Sequence, residues 1–148
     1  MDKQSNNKDK IIQERREERQ QAFSFVFERM FRDDAIDEAF EDAENARDIQ
    51  ISDYTRTVVE GVEKNIEEID ALIEKNLKGW KKNRISKISL TILRIAVFEM
   101  LYMKNIPTSV SINEAVELAK NYATAADGSF VNGVLGSIAK SLEKSGEK

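Results

Sequence analysis

Apolar residues first recur with a helical period at Ala22, Phe23, Val26, Phe27, Met30 and Phe31, a stripe that predicts a helix buried along its second half. The stretch before it, Gln13 to Gln21, is wholly polar and mixes Arg15, Arg16 and Arg19 with Glu14, Glu17 and Glu18, so the first half of that helix is expected to project a charged surface. Residues 1–12 read as a flexible tail, and 13–144 as one helical domain. A short acidic helix is expected from about Asp34 to Asn45, turning Ala35, Ile36, Ala39, Phe40 and Ala43 inward.

A long third helix follows Ser52, a capping residue, and keeps its stripe through Tyr54, Val58, Val62, Ile66, Ile69, Leu72 and Ile73 to Lys78-Gly79. Trp80 then anchors a basic connector. Ser86 is expected to cap a helix from about Lys87 to Lys104 that is apolar around most of its circumference, the pattern of a central helix. Pro107 closes that segment, and Ser111 with Glu114 has capping-box spacing ahead of a further helix. Asp127 is expected to cap the last helix, whose stripe is Phe130, Val131, Val134, Leu135, Ile138, Ala139 and Leu142. The pattern predicts an all-α bundle of six to seven helices with no strand.

Composition agrees. Among 148 residues there are six glycines and one proline, too few turn formers for a many-stranded β fold. With neither cysteine nor histidine, disulfides, thiolate nucleophiles, imidazole bases and the usual zinc sites are excluded. No metal or cofactor is expected, and no glycine-rich phosphate loop follows a strand. Paired carboxylates such as Glu67 and Glu68 read as solvated faces rather than catalytic dyads. The polar start is no secretory signal, and Lys87, Arg94 and Glu99 interrupt the most apolar stretch, so the reading is cytoplasmic, without a membrane partner.

The net charge of −4 conceals segregation: residues 1–77 carry 12 Lys/Arg against 21 Asp/Glu, and residues 78–148 carry 11 against 6. Lys81, Lys82, Arg84 and Lys87 form a basic surface for which a solvated connector and a contact surface are equally good readings. Arg94 and Glu99, inside a nearly apolar helix, must be paired or placed at an interface; Glu114 is the expected structural partner of Arg94. Taken alone, Arg15, Arg16 and Arg19 favour a solvated face paired with glutamates, and Phe130 a core position.

Three segments change that balance: Arg15-Arg16-Glu17-Glu18-Arg19 with Ala22 and Phe27; Trp80-Lys81-Lys82-Asn83-Arg84-Ile85-Ser86-Lys87-Ile88 through Ile92-Leu93-Arg94 and Phe98-Glu99-Met100 to Ile106-Pro107; and Ile112-Asn113-Glu114-Ala115-Val116-Glu117-Leu118-Ala119-Lys120 with Phe130-Val131-Asn132-Gly133-Val134-Leu135. In this order and spacing they resemble the NusB family of transcription antitermination factors, over about Arg15 to Ala139. Ser89 stands where that family often carries an Asp. The resemblance implies an all-α fold of two helical halves and a non-enzymatic RNA-binding adaptor. Such an adaptor pairs with ribosomal protein S10 (NusE), recognises single-stranded boxA-type RNA and acts on the transcription elongation complex at ribosomal RNA operons. It makes RNA contacts of Arg15, Arg16 and Arg19 and sets Lys120, Tyr122 and Phe130 beside the RNA. A helical protein-interaction scaffold, a homodimer through apolar faces and a NusB-like domain of ribosomal RNA maturation remain the other readings.

Overall fold

Seven helices and no strand make up the described residues of the computed structural model, which are 3–46, 49–79 and 84–146. They are α1 (Lys3–Arg29), α2 (Ile36–Ala46), α3 (Asp53–Lys64), α4 (Ile66–Lys75), α5 (Lys87–Tyr102), α6 (Thr108–Tyr122) and α7 (Ala125–Ser145). The chain divides into two compact units, residues 1–60 and 61–148. Trp80, Lys81 and Lys82 lie outside the described residues.

In the first unit α1 begins at Lys3, so most of the expected tail is helical. Lys8, Lys10 and Gln4 are good helix formers, and extending an existing helix backwards through the weaker Asn and Asp positions avoids the cost of a new nucleus. The buried stripe includes Phe25, which packs edge-on to Phe40 of α2 with ring centroids 5.2 Å apart. Phe31 is exposed because α1 ends at Arg29, which puts Phe31 in the following turn. That turn is held by Arg29 Nη1, 3.1 Å from Asp34 Oδ1, and by Arg32, which grips the same carboxylate. Partial desolvation pushes the Asp34 carboxyl up, but its bonds to Arg32 and the charges of Arg32 and Arg29 outweigh this and hold it below the ordinary carboxylate value. Ser52 caps α3 as expected, accepting from the Thr55 N–H at 3.1 Å, and Thr55 Oγ1 donates to the Glu18 carbonyl.

The second unit is built on α5, with ten buried residues among its sixteen, packed against α4, α6 and α7. The long third helix is broken at Asn65, whose backbone leaves the helical region and whose side chain donates to the Gly61 carbonyl at 2.8 Å. Gly61 is needed there: a Cβ on it would overlap the buried Phe98 ring. Beyond α4, Lys78 and Gly79 both take positive φ, the turn expected at this pair. Ser86 caps α5, accepting from the Ser89 N–H at 3.1 Å.

Three expectations are corrected. Arg94 pairs with Asp70 and not with Glu114: its Nε and Nη2 each lie 2.8 Å from a different Asp70 oxygen. A carboxylate on α4, one helix over and 24 residues back, fits the guanidinium fork, a geometry that sequence spacing does not express. Ser111 does not open α6. Pro107 precedes its first residue, and Ser111, buried one turn in, donates to Glu99 Oε1 at 2.8 Å, which satisfies part of that buried carboxylate. Asp127 does not cap α7; Thr124 does.

Two outcomes are expected in thermal and denaturant melts. Arg94→Ala removes the bidentate partner of the nearly buried Asp70 carboxylate and costs about 3 kcal/mol, with Asp70→Ala costing a similar amount. Gly61→Ala destabilises by about 1–2 kcal/mol, because overlap with Phe98 outweighs the gain in helix propensity, whereas Gly133→Ala, with open space around its Cβ, stabilises by about 0.5–1 kcal/mol.

Candidate nucleic-acid interface

The arginines of α1 are sorted by one aromatic ring. Tyr54, buried in the first turn of α3, takes the Arg15 guanidinium over its face at 4.6 Å and that of Arg19 at 5.8 Å. Arg15 also reaches Glu18 at 3.4 Å and stays partly exposed. Arg19 is only 5% exposed, which corrects its expected role: a guanidinium packed this deep against Tyr54 is not presented to a phosphate in solvent. Arg16 is exposed. Because α1 starts early, Lys8 joins this surface, about two turns before Arg15 and on the same side of the helix. The sequence reading missed Lys8 by assigning it to a tail.

In the second unit the starts of α5 and α7 converge on a pocket of about 240 Å³ lined by Arg84, Ile85, Ser86, Ser89, Ala126, Asp127 and Phe130. Thr124 opens α7 by accepting from the Asp127 N–H at 3.1 Å and donates its hydroxyl to Asp127 Oδ2 at 2.7 Å. The buried Ser89 hydroxyl lies 3.3 Å from Asp127 Oδ1 and donates to it. This one carboxylate therefore ties the first turn of α7 to the first turn of α5, with both helix N-termini offsetting its charge. Phe130, one turn further along α7, is half-buried and walls the pocket; Arg84 is exposed at its edge.

The pocket thus joins Phe130 with Arg84, which sequence reasoning had assigned to separate surfaces. Lys87 and Tyr122 are exposed but do not line it. Lys120, exposed near the end of α6 and 3.9 Å from Glu117, runs beside the start of α7, its Cγ 3.5 Å from where a Cβ of Gly128 would stand. Among the described residues no helix is long and apolar enough to cross a membrane, and no cluster of three acidic residues has a metal-binding arrangement.

The NusB family model matches residues 16–140. The chain belongs to the NusB family. The transcription antitermination protein NusB of Acetivibrio thermocellus is 46% identical over 128 residues, covering 85% of this chain and 88% of that protein. Among solved structures, NusB of T. maritima superposes with a TM-score of 0.74 at 36% identity over 85% of this chain and 90% of that one. A structure of the antitermination factors NusB and NusE in complex with dsRNA also gives 0.74, at 31% identity over 86% and 96%. Family membership places the chain among transcription antitermination factors.

The Thr124 cap carries a prediction. Thr124→Ala removes the acceptor for the Asp127 N–H and one donor to its carboxylate, and is expected to lower stability by about 1 kcal/mol, read as a fall in Tm; Thr124→Ser should restore it.

Proposed function

We propose that this protein is an RNA-binding antitermination factor that pairs with ribosomal protein S10 (NusE), recognises boxA-type single-stranded RNA and joins the elongation complex at ribosomal RNA operons. The observation that carries the reading is the likeness, over 96% of its length, to a NusB chain solved together with NusE and RNA. In the working arrangement Arg15 and Arg16 meet backbone phosphates and Lys120 adds a further cation. Tyr122 and Phe130 offer aromatic faces to unpaired bases. The chain is net acidic, so its own attraction for RNA is modest, and a basic partner supplies the rest.

Titration of a boxA-type RNA with and without NusE tests this. NusE is expected to tighten binding by roughly 5–150-fold at fixed salt; unchanged affinity contradicts the adaptor mechanism. The double variant Arg15→Gln/Arg16→Gln should stay folded, with only a small fall in Tm from the lost stacking of Arg15 on Tyr54, and bind RNA more weakly. Its slope of log affinity against log salt should flatten by about 0.7 per lost contact. The matched change at exposed Lys140 and Lys144 should leave that slope unaltered; equal flattening in both would indicate general electrostatics rather than contact.

A further inference from the structure

We infer that Tyr54 is a positioning residue for RNA binding, its buried ring holding the Arg15 guanidinium in place to meet a backbone phosphate. This rests on the RNA reading above and adds to it what fixes that cation. An exposed arginine samples many rotamers, and binding must freeze them, so a guanidinium already held in place takes a phosphate more tightly. Arg15 is held from two directions. Its guanidinium carbon lies over the Tyr54 ring, 4.6 Å from the centroid, and its Nε lies 3.4 Å from Glu18 Oε1. The two Nη nitrogens carry four of the five N–H donors of the fork, and they make no hydrogen bond or ion pair among the described residues.

The ring is itself fixed. Tyr54 is buried in the first turn of α3, whose start is set by the Ser52 cap on the Thr55 N–H. Three hydrogen bonds then register that turn against α1 inside the first unit. The Thr55 hydroxyl donates to the Glu18 carbonyl at 3.3 Å, Gln21 Nε2 donates to the Gln50 carbonyl at 3.1 Å, and the Ser52 N–H donates to Gln21 Oε1 at 3.4 Å. Glu18, whose side chain meets the Arg15 Nε, is thus also the residue whose backbone is tied to the turn that carries the ring. Arg19, buried against the same ring at 5.8 Å, adds a second cation that solvent screens little, which raises the positive potential where Arg15 emerges. The attraction comes from the π face of the ring and not from its hydroxyl, so phenylalanine at this position should serve as well.

The test measures the affinity of the full-length protein with NusE for a boxA-type RNA across a salt series, with a melt of each variant to show that it is folded. Tyr54→Leu keeps an apolar side chain but no π face, and is expected to weaken binding by roughly three- to tenfold, while Tyr54→Phe stays within about twofold of the wild type. The slope of log affinity against log salt is unaltered in Tyr54→Leu, because the Arg15 charge is still present, but flattens by about 0.7 in Arg15→Gln. In the Arg15→Gln background Tyr54→Leu costs less than about twofold, the non-additivity of two residues that act as one unit. Arg15→Lys leaves Tyr54 in place, keeps the charge and loses the planar group over the ring. It should repeat the Tyr54→Leu loss at the wild-type slope, and it decides the matter if Tyr54→Leu fails to fold. Wild-type affinity in Tyr54→Leu or Arg15→Lys, an equal Tyr54→Leu loss with and without Arg15, or Tyr54→Phe as weak as Tyr54→Leu overturns the positioning role while leaving the RNA reading intact. Absence of RNA binding by the wild type with NusE overturns both.

Discussion

The constraint on which the second unit depends is the burial of α5. A helix apolar on nearly every side has no face to give to water, so it folds only if other helices surround it, and α4, α6 and α7 do so. Burial also dictates what becomes of its two interior charges, Arg94 and Glu99. Arg94 finds a bidentate carboxylate on α4, and Glu99 takes a hydroxyl from α6, so each polar intrusion into the helix becomes a tie to a neighbour. The close approach of α3 at Gly61, where only a hydrogen fits against Phe98, belongs to the same packing.

From that fixed helix the pocket follows. Ser86 sets where α5 begins, Thr124 sets where α7 begins, and Asp127 joins the two starts through Ser89. Helix capping, usually a matter of local stability, here shapes a surface: Ser86, the cap of α5, and Asp127, held by the cap of α7, line a concavity with an aromatic wall and a cation at its edge. Ser89 has a double part in this. Buried at the base of α5, it is held at its N–H by the Ser86 cap and donates its hydroxyl to an acid on another helix.

Much of this was legible in the sequence because helical period and caps are local. The α5 stripe, Ser52 and Ser86 as caps, and the turn at Lys78-Gly79 are all read from residues within a few positions of one another. What was not legible depends on partners distant in the chain. Asp70 as the mate of Arg94, Tyr54 as the ring that takes in Arg19, and Ser111 as a donor to Glu99 each require knowing which helices touch. The break at Asn65 was hidden because the apolar stripe continues through it. Thr124 was passed over for Asp127 because both can cap and they stand three residues apart, as the two ends of one capping box do.

The account's central claim is that RNA is contacted by the starts of α5 and α7 in the second unit and by the arginine-bearing part of α1 in the first. Amide hydrogen exchange of the protein bound to NusE, compared with the same complex after adding boxA-type RNA, tests it most directly. The added RNA is expected to slow exchange at residues 84–90 and 124–131 and around Arg15 and Arg16, leaving the amides of α2 unchanged. Protection confined to other segments, with no change at the starts of α5 and α7, would contradict the account.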